Sequence, residues 1–355
     1  MLNYLKPYII GETAYNHQGD IRYLYKMIAD IAKLNLSAVK FHLMLNPLSY
    51  AQKNHPIIEE IKKWLFSEFQ WKQVFNYTQK KNLDIVALCD DVESMKFINK
   101  NYSDIFAIEI HSTGLNDYYL LKEAIIFPGK IILGVGGSSI DEIEYAVDFI
   151  RTNKNNDILL MYGFQSYPTD YKDINLSKML KLRSLFDLDI GYADHTSFND
   201  QNNEIISCMA AVLGFNILEK HYTPNPGETR IDFHSAVGFE KMKTIKKLME
   251  LSLIVYGTGD IKMTNSELAY GNTGPMKKAI VAKTKIKKGE KLTLNNLYFK
   301  RTKESSPIKQ LVFQSLIGLE VLIDIEEDEI IDFSKINYEF KHYKKEDFTN
   351  IKEKG

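Results

Sequence analysis

NILEKHYT, residues 216–223, is an apolar run that ends in an acid, a base and an imidazole: Glu219, Lys220 and His221. Charge has no place in the middle of a buried strand, but a strand end can open onto a ligand. Seven further runs precede it: PYIIGE (7–12), SAVKFH (37–42), DIVALCDD (84–91), IFAIEIHS (105–112), KIILGVGG (130–137), DILLMYGF (157–164) and LDIGYADHT (188–196). Most of these also finish on polar residues. Run five instead leads into GVGGSS, a small-residue loop that lets a ligand approach the backbone. Between the runs lie segments with apolar residues at helical spacing, such as DIRYLYKMIADIAKLN and IDEIEYAVDFIRTN. This alternation predicts parallel strands joined by crossover helices. Eight units over about 220 residues fit a (β/α)8 TIM barrel in count and length. A doubly wound open sheet shows the same alternation.

The period changes after residue 257. The barrel is therefore expected over 1–257, and TGDIKMTNSELAYGNTGPM reads as a linker over 258–276. Short β-rich stretches follow over 277–340, with a turn at KKGE, and predict a small separate domain. The charged tail, 341–355, is expected to fray. The chain has 355 residues, 45% of them hydrophobic, with a formal net charge of −1. That balance argues against nucleic acid and anionic membrane surfaces as partners. No run approaches a membrane-spanning length, and MLNYLKPYII lacks the apolar core of a signal peptide. Two cysteines, Cys89 and Cys208, cannot form a disulfide framework, so a reducing, cytoplasmic setting is expected.

In a parallel barrel the C-terminal strand ends share one face, where active sites gather. His195 and His221 close consecutive runs, so they should stand on adjacent strands about 4.8 Å apart. Two imidazoles at that spacing can share a metal; nitrogen with oxygen ligands suits Mn, Zn or Fe, with Mg possible. Lys40 at a barrel mouth fits an anion-binding or catalytic amine. Glu12 is either a functional acid or a helix cap. For Glu228 and Asp232, a surface role and a functional one are equally open. Glu109 and His111 alternate along one strand and share a face. With His42 and Asp90 they can form a second polar or metal-binding cluster, or a hydrogen-bonded barrel interior.

In IIGETAYNHQGD, AVKFH, QSYPTD, IGYADHT, ILEKHYT and IVAKTKIKKGEKLTLNNLYFKR the chain resembles the sialic acid synthase family, whose members are N-acetylneuraminate synthase-like. The likeness runs over nearly the whole chain, and the last segment resembles the family's C-terminal SAF (antifreeze-like) domain. The resemblance implies a metal-dependent transferase that condenses phosphoenolpyruvate with an N-acylated hexosamine. The metal is manganese or another divalent cation, and the assembly a domain-swapped homodimer. It implies metal ligation by His195 and His221, and catalysis by Glu12, Lys40 and Glu219. Substrate contacts are implied for Ser112, Gln165, Tyr167 and Asp232. Arg301 would reach the sugar from the small domain of the partner subunit.

The donor pocket departs from the family pattern. Glu109 stands where a lysine is usual, Gly114 for an acid, Asp90 for a threonine, and Gly134 and Ala193 for serines; KRTK replaces KRPG. Phosphoenolpyruvate carries roughly three negative charges. At an effective dielectric near 20, opposite charges 4 Å apart attract by roughly 4 kcal/mol, and a lysine-to-glutamate exchange reverses the sign. Two alternatives follow: a metal-dependent aldolase or lyase that takes no phosphoenolpyruvate, or a non-catalytic sugar-binding homologue.

Overall fold

A computed structural model describes residues 6–153, 157–166 and 168–340. Tyr167 and the tail 341–355 lie outside the described residues. The chain divides between Gly259 and Asp260 into two compact units.

In the first unit, eight parallel strands close into a barrel in sequence order. They are β1 (Tyr8–Glu12), β2 (Ala38–Leu43), β3 (Asp84–Cys89), β4 (Ala107–Ile110), β5 (Lys130–Gly134), β6 (Ile158–Tyr162), β7 (Asp189–Asp194) and β8 (Ile217–His221). Closure comes from β1 pairing with β8, which sets Glu12 opposite His221. On its other side Glu12 pairs with Lys40. The open-sheet alternative is thereby removed.

The helices form because their apolar residues fall on one side. Ile21–Lys33 begins at Asp20, whose side chain accepts from the N–H groups of Arg22 and Tyr23, and buries Leu24, Met27, Ile28 and Ile31. Gly11 admits this helix close to β1; a Cβ there would stand 2.8 Å from Ile31.

Inside the barrel the two-residue strand period decides what each layer holds. Ile10, Ala38, Val86, Ala107, Ile132 and Leu159 form an apolar plug. One step toward the C-terminal ends, Ile10 gives way to Glu12, Ala38 to Lys40, Ala107 to Glu109 and Ile217 to Glu219. The apolar interior thus stops at a single charged layer, and that layer floors the site. Among the described residues, no helix is long and apolar enough to cross a membrane.

The second unit has its own core, including Ile280, Ile286, Leu292, Leu297, Val321 and Ile331. Strand β9 (Ala279–Ala282) pairs antiparallel with β10 (Leu297–Lys300). Isolated bridges such as Ile286 to Ile325 extend the β character. KKGE is a tight turn, with Gly289 at φ +85 and Glu290 N donating to Lys287 O. The segment read as linker carries a helix, Asn265–Tyr270, started by a Thr264/Glu267 capping box. That signal was present as T-N-S-E, inside a stretch otherwise dominated by glycine and polar residues.

Candidate active site at the barrel mouth

Glu12, His195 and His221 each place one ligand-capable atom within 4.8 Å of the others. Among the described residues it is the only such group of three or more His, Cys, Asp or Glu. The two imidazole rings stand 5.1 Å apart between centroids. His221 Nε2 lies 3.0 Å from Glu12 Oε2. Burial, then the neighbouring His221, lowers His195 to about 3, so its ring is neutral at pH 7. His195 Nδ1 is buried without a hydrogen-bond partner among the described residues. A buried, neutral, unpartnered nitrogen next to a carboxylate and a second imidazole fits a borderline divalent cation.

Burial alone would raise the Glu12 carboxyl. The charges of His221 and Lys40, and hydrogen bonds from His221 and His42, outweigh it and hold the group well below the ordinary carboxylate range. His42 bridges Glu12 Oε1, at 2.8 Å, and Asp90 Oδ2, at 3.7 Å. Burial opposes its charge, but Asp90 and Glu12 prevail and raise it to about 10, which makes it an imidazolium. Tyr15 Oη donates to Asp90 at 2.7 Å and continues the chain. His111 faces the same cavity, 6.1 Å from His42 between ring centroids. Burial, then the His42 charge, lowers it to about 4. Glu109, His42 and Asp90 thus belong to a charged, ion-paired interior with His111 beside it, and among the described residues no metal-ligand grouping is found there.

Lys40 is enclosed rather than free. Its Nζ lies 2.9 Å from Glu109 Oε1, 2.9 Å from Glu219 Oε2 and 3.3 Å from Glu12 Oε1. These three acids overcome the burial penalty and raise the ammonium well above its usual value. One ammonium cannot compensate three carboxylates. Burial, then Glu12, pushes Glu219 well above the carboxylate range, and burial raises Glu109 despite Lys40.

Asp194 and Lys220 turn away from the mouth, as strand alternation requires. They pair at 2.7 Å with both side chains 0% exposed, and Ser207 and Thr196 also bond to Asp194. The carboxylate that joins the two histidines is therefore Glu12, from the far end of the sequence, and not a chain neighbour. Gln165 Nε2 donates to Asp232 Oδ1 at 3.0 Å at the rim, and Ser112 opens the turn after β4. An aromatic-walled cavity of about 800 Å³ adjoins the mouth, lined by Tyr15, Tyr50 and Trp64 among others. Arg301 belongs to the second unit, where its Nε donates to Pro275 O at 2.7 Å. Tyr15 was not singled out by sequence, and His42 was read only as part of the second cluster with Glu109, His111 and Asp90, not as the partner of Glu12. For His42 the signal was its place two residues beyond Lys40 on one strand face.

The NeuB family model matches residues 27–260. The chain belongs to the NeuB family. It is 28% identical to N,N'-diacetyllegionaminic acid synthase of Campylobacter jejuni, over 92% of this chain and 99% of that protein. It is 28% identical to N-acetylneuraminate-9-phosphate synthase of Drosophila melanogaster, over 91% of this chain and 94% of that protein. Its fold matches the N-acetylneuraminic acid synthetase of Leptospira borgpetersenii solved with citrate, at a TM-score of 0.69 and 26% identity. That match covers 75% of this chain and 90% of the other. The NeuB family membership and the closed barrel agree, and the Glu12–His195–His221 group lies at the C-terminal ends of the strands, the face where active sites of such barrels gather.

Proposed function

We propose that this chain is a metal-dependent condensing enzyme of the sialic acid synthase type. It joins a three-carbon donor to the aldehyde of an N-acylated hexosamine and forms a nonulosonic acid for surface polysaccharide. The observation that carries the reading is the Glu12–His195–His221 group at the C-terminal end of a NeuB family barrel. Glu12, His195 and His221 would hold a divalent ion, Mn2+ or Mg2+. Bound there, it supplies Lewis acidity for the acceptor's aldehyde oxygen.

The remaining work falls to side chains of this protein. His195 is neutral at pH 7 and keeps a nitrogen free for ligation. His42 Nε2 holds the Glu12 carboxylate in place and shares its charge. Burial, then Glu12, pushes the Glu219 carboxyl up, which favours proton uptake on a buried acid beside Glu12. Gln165 and Asp232 present a fixed amide–carboxylate pair to the sugar's hydroxyl or N-acyl groups. Phosphoenolpyruvate is the donor that the resemblance implies, with Ser112 in its pocket. The second unit is proposed to be the SAF domain, and Arg301 of the partner subunit to complete the acceptor site in a domain-swapped cytoplasmic dimer. A second reading, an aldolase or lyase that takes no phosphoenolpyruvate, is favoured by the three acids around Lys40.

Incubation of Mn2+-loaded protein with N-acylated hexosamines and three-carbon donors, followed by mass spectrometry, tests the reading. A new 2-oxo acid carrying the acceptor's carbon skeleton is expected. No product and no thermal stabilisation by any acceptor, with the metal bound, would overturn it.

A further inference from the structure

The chain leaves β1 through a tight turn in which Ala14, 1% exposed, takes φ +44. Left-handed backbone is costly for a residue with a Cβ, so the surroundings must impose it. Thr13 N and Thr13 Oγ1 both donate to Lys40 O, at 3.0 and 2.9 Å, and bolt the turn to β2. The turn then sends two side chains to two sides. Tyr15 reaches Asp90, after β3. Asn16, buried, reaches the segment after β8, where its Nδ2 donates to Ile231 O at 2.9 Å. Arg230 answers in the opposite direction, with its Nη1 donating to Asn16 O at 3.3 Å. The guanidinium is itself fixed, 3.9 Å from the centroid of the Tyr23 ring and 2.8 Å from Glu228 Oε1.

The residue after Ile231 is Asp232, which stands at φ +61 and accepts from Gln165. Aspartate tolerates left-handed backbone better than most residues, but the conformation still has to be held. The segment 230–236 holds it poorly by itself. Its own backbone bonds are long: 3.4 Å from Phe233 N to Arg230 O, 3.4 Å from Ser235 N to Asp232 O, and 3.3 Å from Ala236 N to Phe233 O. Two shorter bonds from outside bracket Asp232, one from Asn16 to Ile231 O at 2.9 Å and one from Phe198 N to His234 O at 2.8 Å. The Ile231 carbonyl belongs to the peptide unit that enters Asp232. The Asn16 bond therefore fixes the plane from which the φ rotation of Asp232 starts.

We infer that Asn16 and Arg230 are positioning residues for the acceptor sugar: they lock the peptide plane before Asp232, and so set where its carboxylate meets the sugar's hydroxyl or N-acyl group. This rests on reading Asp232 as a contact of the acceptor. The metal-ligand group and the clamp share one turn. Glu12 ends β1, and Asn16 follows it within the turn that Thr13 bolts to β2. The spacing between Glu12 and the carboxylate that holds the sugar is thus set by a single braced turn rather than by the segment after β8, whose own bonds are weak. Neither Asn16 nor Arg230 needs to touch the sugar for this role.

Asn16→Ala removes the side-chain donor and leaves Glu12, His195, His221 and Asp232 in the chain. Amide hydrogen exchange of the Mn2+-loaded full-length protein, read by mass spectrometry, should quicken about fivefold or more over residues 230–236 and stay unchanged in β1 and β8. Titration calorimetry should show N-acetylmannosamine binding weakened about fivefold or more, with Mn2+ affinity within about twofold of wild type. Arg230→Lys keeps the charge but loses the guanidinium's fork and its stacking; it should give the same pattern more mildly, and serves if Asn16→Ala does not fold. Exchange over 230–236 equal to wild type would overturn the inference. So would a loss of Mn2+ affinity as large as the loss of sugar affinity, the mark of a general loosening of the mouth. Asp232→Ala separates the two readings. If it weakens sugar binding and Asn16→Ala does not, the clamp is refuted and the acceptor contact stands. If neither variant changes sugar binding, or the wild type binds no sugar, the acceptor contact fails and the inference falls with it.

Discussion

Replacing Lys40 with methionine keeps an unbranched side chain, one atom shorter, and removes the charge that three buried acids share. The ammonium's side chain is 3% exposed, and its partners stand 2.9 to 3.3 Å away. At an effective dielectric near 20, each such contact is worth roughly 5–6 kcal/mol of Coulomb attraction, most of it offsetting desolvation. Removing one partner of a buried ion pair costs about 3–5 kcal/mol, because the acids stay buried without compensation. For a barrel of this size that is a fall in Tm of about 10 °C. The loss should depend on pH with a definite sign. Glu109 and Glu219 are already raised, and both rise further without Lys40. A carboxyl raised in the fold contributes its stability in full below its unfolded value, near 4.3, and loses it as pH climbs through the folded value. Lys40→Met should therefore be milder at pH 5 than at pH 8 in thermal unfolding followed by near-ultraviolet circular dichroism. Adding Glu109→Gln should restore part of the loss at pH 8. A fall under about 2 °C, equal at both pH values, would refute the shared-ammonium reasoning.

Other consequences can be checked separately. Glu12→Gln should lower Mn2+ affinity at least about tenfold in titration calorimetry, since it removes the charged oxygen of the triad. The Tm of metal-free protein should peak near pH 6.5, the unfolded histidine value. His17, His111 and His195 are lowered to about 3, 4 and 3, so their contribution is full above 6.5 and lost as pH falls. His42 is raised to about 10, so its contribution is full below 6.5 and lost as pH rises toward 10. His42→Gln should flatten the alkaline limb most, and soften the acid limb to a lesser degree, because the His42 charge is the second cause of the lowered His17 and His111 values. Gly163→Ala should cost about 8 °C or more in Tm. The residue sits at φ +141, and the added Cβ would meet the Ala193 carbonyl oxygen at 2.0 Å.

The strands were legible because burial on both faces forces continuous apolar runs, which a parallel barrel requires. DIVALCDD and KIILGVGG, for example, become β3 (Asp84–Cys89) and β5 (Lys130–Gly134). His195 and His221 were legible as neighbours because consecutive strands in such a fold lie side by side. The third member of their group was harder to read. Glu12 is far from His221 in sequence and reaches it only because β1 pairs with β8, a property of the closed sheet that no local pattern carries. Asp194 and Lys220 looked like mouth residues by position, yet the two-residue period sends them behind the strands. Lys40 was misleading in another way. A lone lysine at a strand end suggests an anion site, but Glu109 and Glu219 come from strands β4 and β8 and meet it only across the barrel. Composition cannot show such convergence.

Crystals grown with Mn2+ and measured on both sides of the manganese absorption edge test the central claim most directly. The account predicts one strong anomalous peak bounded by the Glu12 carboxylate and the His195 and His221 imidazoles, with metal–nitrogen distances of about 2.0–2.3 Å. Fully loaded crystals with no peak between those three side chains, or with the manganese seated on another group, would contradict it.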